Sequence, residues 1–139
     1  MILIIKIIRW TALERSRKDL VNTRKVGTFY EEAACCFLKE QGIVILQRNF
    51  RCKTGEIDII GRQGSCVIFF EVKYRKNDTY GNALMAVHPK KQNRICRCAA
   101  IYCLKNPWVK EFRYDVIGIT DTGINWVQNA FSHRGYGFY

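Results

Sequence analysis

Apolar and polar positions alternate most clearly in residues 55–75, where two β-branched runs flank Gly64-Ser65. That composition predicts a hairpin closed by a two-residue turn. Helical spacing of Phe29, Ala33, Cys36, Phe37 and Leu38 predicts a helix over residues 28–41. Thr28 and Glu31 form a capping-box signature at its start, which puts Glu31 and Glu32 in the first turn, and Gly42 ends it. Residues 43–50 read as a strand. Pro89 suits the first turn of a second helix running to about Lys105, with Ile95, Cys98, Ala99, Tyr102 and Cys103 inward and Lys90, Lys91, Arg94 and Arg97 outward. Residues 112–120 and 124–127 complete the pattern as strands around an Asp121-Thr122-Gly123 turn. The chain is therefore expected to be α/β, a mixed sheet flanked by helices.

With Gly64 and Ser65 as the turn, residues whose numbers sum to 129 face each other. Asp58 then lies opposite Glu71 and Glu56 opposite Lys73. Strict alternation puts these four side chains on one polar face and Ile57, Ile59, Phe70 and Val72 on the core face. Two carboxylates about 5 Å apart at an effective dielectric near 20 repel by roughly 3 kcal/mol, and a divalent cation reverses that sign. Mg²⁺ is commonly held by one or two carboxylates with waters and phosphate oxygens, which makes Asp58 and Glu71 candidate ligands. Lys73 could steady a phosphate or an attacking water. The plain alternative is a Glu56–Lys73 surface ion pair on a solvated sheet face.

Charge extends this picture. The 139 residues carry 23 Lys and Arg against 12 Asp and Glu, a formal net charge of +11, which points to a polyanionic partner. Arg48, Arg51 and Lys53 would form a positive rim beside the carboxylates. Lys90, Lys91, Arg94 and Arg97 are the strongest phosphate-contact candidates outside the hairpin. Residues 74–83, including Arg75, carry no readable period and are expected to form a loop beside the site.

The seven cysteines are an odd number, with Cys35 and Cys36 adjacent on a helix and no Cys-x-x-Cys pair. Reduced, mostly buried thiols in a cytosolic protein are expected. Residues 1–10 are apolar but interrupted by Lys6 and Arg9, too short for a membrane span and without the flanks of a signal peptide. They read as an additional strand or helix or as poorly ordered residues, and residues 11–25 as a basic linker or arm. The expected organisation is an extension over 1–23, one domain over 24–131, and a loosely attached tail from 132 to 139. His88 and His133 are isolated, so a histidine-dependent mechanism lacks parts.

The order of a helix with Glu31, a strand with Asp58, then Glu71-Val72-Lys73 resembles the PD-(D/E)xK nuclease superfamily. The chain is more closely similar to the YraN family of small bacterial proteins, related to archaeal Holliday-junction resolvases. The residues that carry the resemblance are Gly27-x-x-x-Glu31-x-x-Ala34, Gly42, Arg48-Asn49, Gly55 to Ile60, Phe70 to Arg75, Gly81, Lys91, Arg113 to Val116 and Asn129-Ala130-Phe131. Ile57 stands where the superfamily name has proline. The resemblance implies a restriction-endonuclease-like αβββαβ core and a Mg²⁺- or Mn²⁺-dependent nuclease acting on DNA, branched DNA included. Asp58 and Glu71 would be metal ligands, Lys73 the base, and Glu31 an additional acid, with Glu32 as its substitute if the helix is rotated. Resolvase-like relatives usually pair, and the resemblance leaves a homodimer open. A DNA- or RNA-binding module without catalysis and a basic interaction protein are the rival classes.

Overall fold

A computed structural model describes residues 2–5, 23–75 and 87–135. Its elements are β1 (Ile2–Ile5), α1 (Thr23–Glu40), β2 (Val44–Cys52), β3 (Gly55–Gln63), β4 (Cys66–Tyr74), α2 (Pro89–Lys105), β5 (Glu111–Thr120) and β6 (Gly123–Phe131). The strands form one mixed sheet in the order β1-β6-β5-β4-β3-β2. Only β4 and β5 pair in parallel, through the crossover that contains α2; the other neighbours are antiparallel. Elements α1 to β5 are the expected αβββαβ core, and β6 and β1 extend its β5 edge. Among the described residues no helix is long and apolar enough to cross a membrane.

The helices cover opposite faces of the sheet. Ala34, Cys35, Phe37 and Leu38 of α1 pack on Ile59, Ile68, Phe70, Ile117 and Trp126. On the other face, Ile95, Cys98, Ala99 and Tyr102 of α2 pack on Phe50, Ile57, Ile60, Phe69 and Val116. Burial from both sides explains why β4 reads as the continuous apolar run Val67 to Phe70. Helix α1 ends in a Schellman motif: Gly42 takes φ +84°, its N–H donates to Lys39, and the Ile43 N–H donates to Leu38.

Several expectations are corrected here. Helix α1 starts at Thr23, so Thr28, Glu31 and Glu32 lie inside it and its first turn holds no acid. A capping box is a local signal, and the preceding Arg24 and Lys25 are good helix formers that carry the helix upstream. That helix takes residues 23–25 out of the expected arm. Residues 132–135 are docked rather than loose, since His133 Nδ1 lies 2.6 Å from the Tyr114 hydroxyl and the Arg134 N–H donates to Cys96 Sγ. The thiols are not all reduced: Cys52 and Cys98 form a disulfide that ties β2 to α2. Spacing could not find this bond, because the two residues meet only when α2 packs across the β2–β3 hairpin. Of the loop expected over 74–83, all but Tyr74 and Arg75 lies outside the described residues, as does most of the arm.

The hairpin register follows the sum of 129, from Gln63↔Cys66 to Ile59↔Phe70. The expected faces hold for Ile59, Phe70 and Val72, which lie on the α1 side, but not for Ile57, which lies on the α2 side. Strict alternation fails at Asn49, which sits in β2 between the pairs Arg48↔Ile59 and Phe50↔Ile57 and takes φ +52°. A left-handed residue inside a strand turns both strands locally and reassigns the faces beyond it.

Candidate active site at the fork of strands β3 and β4

The β3–β4 ladder stops at Ile59↔Phe70, whereas β4 continues beside β5 as far as Tyr74↔Ile119. The two strands therefore part at Asp58. Its carboxylate fills the opening and accepts the Val72 N–H at 2.8 Å, in place of the next ladder bond. Asp58 is 8% exposed and Glu71 2%. Burial, and next the charge of Glu71, push the Asp58 carboxyl up to about 8 against the pull of the Val72 N–H.

Two ammonium groups converge on one oxygen of Glu71. Lys91 Nζ, from the first turns of α2, lies 2.6 Å from Oε1, and Lys73 Nζ lies 3.3 Å from it. Burial lowers the Lys73 pKa, with Glu71 opposing the shift. Burial also pulls on Lys91, but the Glu71 carboxylate outweighs it and raises the Lys91 pKa. Glu31 reaches the site from α1. Its side chain bonds that of Asn49, and burial raises its pKa within range of the Glu71 charge. Glu32 instead points out to Arg48, at 2.6 Å.

The structure brings together Asp58, Glu71 and Lys73 and adds Lys91, while Glu31 lies on the α1 side within range of the Glu71 charge. Lys91 was assigned to an outward phosphate-binding face, but the first turns of α2 aim it at Glu71. Arg48 is engaged by Glu32 rather than forming an open rim. Arg51 makes an exposed pair with Glu56 at 3.4 Å, so the alternative Glu56–Lys73 pair is replaced by two others. Lys53, Arg75, Lys90, Arg94 and Arg97 are exposed. Asn49 has no role in the sequence pattern beyond the Arg48-Asn49 pair. An asparagine inside a strand is the one signal that could have marked it, because asparagine tolerates φ > 0.

Among the described residues no group of three His, Cys, Asp or Glu side chains converges closely enough to cage a metal ion alone. The donor chemistry nevertheless fits a hard cation. Asp58, whose pKa burial and the Glu71 charge raise, and the buried Glu71 beside it form the kind of carboxyl pair that Mg²⁺ or Mn²⁺ accepts with waters and phosphate oxygens.

Fold and site together define an α/β protein with the αβββαβ core of the restriction-endonuclease-like class and an acid, acid, lysine cluster at its strand fork. The chain belongs to the uncharacterised protein family UPF0102, whose family model matches residues 30–119, in agreement with the YraN resemblance. It is similar to a UPF0102 protein of Vibrio campbellii, 41% identical over 118 residues covering 81% of this chain and 97% of the relative. A UPF0102 protein of Hahella chejuensis is 40% identical over 119 residues, covering 83% and 96%. The UPF0102 protein HEAR0176 of Herminiimonas arsenicoxydans is 39% identical over 105 residues, covering 76% and 85%.

Proposed function

We propose that this chain is a cytoplasmic DNA-binding protein and a divalent-metal-dependent endonuclease, with Asp58 and Glu71 as the ligands of Mg²⁺ or Mn²⁺. The observation that carries this reading is the buried Asp58–Glu71 pair at the strand fork with Lys73 beside it. When bound, the cation would polarise the scissile phosphate and lower the pKa of a bound water. Lys73, whose pKa burial lowers, would orient the attacking water and could accept its proton only once it had given up its own. Val72 N–H aims the Asp58 carboxylate, and Lys91 holds Glu71 in place. Glu31, tied to Asn49, supplies a further acid from the helix side. The net charge of +11 supports a polyanionic substrate. Pairing of two copies belongs to the same proposal.

One contact favours a second reading. Lys91 already neutralises Glu71, as it would in a nucleic-acid-binding module of this fold that does not catalyse. The test is to incubate the purified protein with labelled branched and linear duplexes, with chelator, Mg²⁺ or Mn²⁺, beside Asp58→Ala and Glu71→Ala. Cleavage that needs the cation and vanishes in both variants while binding survives supports the endonuclease. Binding without cleavage under any condition selects the module. Equal cleavage in chelator, or cleavage retained by both variants, removes Asp58 and Glu71 from the chemistry.

A further inference from the structure

The cations at the end of the β2–β3 hairpin and those on α2 are far apart in sequence but close one cavity of about 500 Å³, lined by Arg51, Cys52, Lys53, Gly55, Glu56, Lys91, Arg94 and Ile95. Its two walls are tied together. The Cys52–Cys98 disulfide clamps the hairpin to the helix, and a Cβ on Gly55 would stand 3.3 Å from Arg94 Cβ, so glycine lets the hairpin backbone approach α2. Lys91 is shared: it forms part of the cavity wall and lies 2.6 Å from Glu71. The cavity therefore adjoins the carboxylate site directly.

From this lining we infer that the cavity receives one unpaired nucleotide of the DNA strand, the neighbour of the phosphate at Glu71. The inference rests on the nucleic-acid reading above. The volume is that of a ligand pocket, well beyond what a phosphate group alone fills. Lys53 and Lys91 provide charge for the flanking phosphates, and the guanidinium planes of Arg51 and Arg94 suit a base face. Ile95, 2% exposed, and the Gly55 backbone complete the lining. Glu56 accepts from a base amino group, and its exposed pair with Arg51 costs little to open. A base held in a pair cannot enter, so the cavity selects DNA that carries an unpaired residue over continuous duplex.

The test is equilibrium binding in chelator, where no cleavage intervenes, to three labelled duplexes of one sequence. The first is fully paired, the second has one extra unpaired nucleotide, and the third has that extra residue without its base. Wild type should bind the second about tenfold or more tighter than the first and third. Arg94→Ala and Arg51→Ala, both at exposed positions, should melt as wild type does and lose most of that preference. Equal affinity for all three duplexes overturns the inference. So does a full preference in both variants, or an equal gain from the residue without a base, which would mean the cavity reads phosphate alone. If paired duplex binds and the preference is absent, only the cavity assignment falls. If no DNA binds, the nucleic-acid reading falls with it.

Discussion

Asp58 and Asp115 are two buried aspartates with only β4 between their strands, and their partners differ completely. Asp115 is 0% exposed and sits at the break in the β5–β6 register. It receives Arg113 Nε at 3.0 Å, Trp126 Nε1 at 2.9 Å and the Asn129 N–H at 2.8 Å. Asp58 receives one N–H and faces another carboxyl group. Burial alone therefore does not mark a functional acid. An acid surrounded by a cation and neutral donors stabilises the fold, whereas an acid placed beside an acid raises the energy of the fold unless something outside the chain joins it.

The strongest way to break this contrast is to truncate one acid from each region. Glu71→Ala should reduce metal-dependent cleavage by about 10²–10³-fold or more under conditions where the variant is folded and binds duplex, although it strands Lys73 and Lys91. Asp115→Ala should leave Arg113 and two N–H donors unpaired and cost about 3–5 kcal/mol of stability, read in denaturant titration. A normal unfolding curve for Asp115→Ala would end the structural reading of that residue.

The contrast sharpens with pH. The Asp58 carboxyl rises from 3.8 to about 8 on folding. Below about pH 4 both states hold the proton. As pH rises the unfolded chain releases it while the folded chain keeps it, so stability falls through this window and levels off above about 8. Asp58→Asn keeps an acceptor for Val72 and lacks this titration. In chelator it should be more stable than wild type by on the order of 3 kcal/mol near pH 8, with the gap closing toward pH 4. Saturating Mg²⁺ should invert the order, because wild type gains binding energy that the variant largely loses. If melts show Asp58→Asn destabilised in chelator and neither protein shifted by Mg²⁺, Asp58 is a structural acceptor like Asp115.

The disulfide lies on the Asp58 side only. Reducing Cys52–Cys98, which are 46 residues apart, should cost about 3 kcal/mol and speed amide exchange in the β2–β3 hairpin more than around Asp115. A Cys52→Ser protein should not respond to reductant. Equal exchange changes in both regions would show that the bond braces the whole sheet.

The smallest effect is on salt dependence. Removing one phosphate contact should lower the slope of log affinity against log salt by about 0.9 on duplex DNA. Lys53→Ala should do so, whereas Arg48→Ala, whose guanidinium is engaged by Glu32, should not. A wild-type slope near zero would favour an acidic protein partner over DNA.

The hairpin register, the helix ends at Gly42 and Pro89 and the pairing of Asp58 with Glu71 were all legible in the sequence, because each depends on neighbours in the chain: a two-residue turn, a left-handed glycine, a period of two. Composition likewise determined the net charge of +11. Tertiary structure decided the rest. Whether Lys91 faces solvent or Glu71 depends on where α2 lands on the sheet, and the same docking joins Cys52 to Cys98 and closes the cavity. The face taken by Ile57 depends on the left-handed Asn49, which belongs to a different strand. The fork itself exists because β4 leaves β3 and stays with β5, a parallel pairing between segments joined only through α2. Local patterns carry the energetics of nearest neighbours; which distant surfaces then meet is set by packing both faces of the sheet at once, and no window of sequence contains that information.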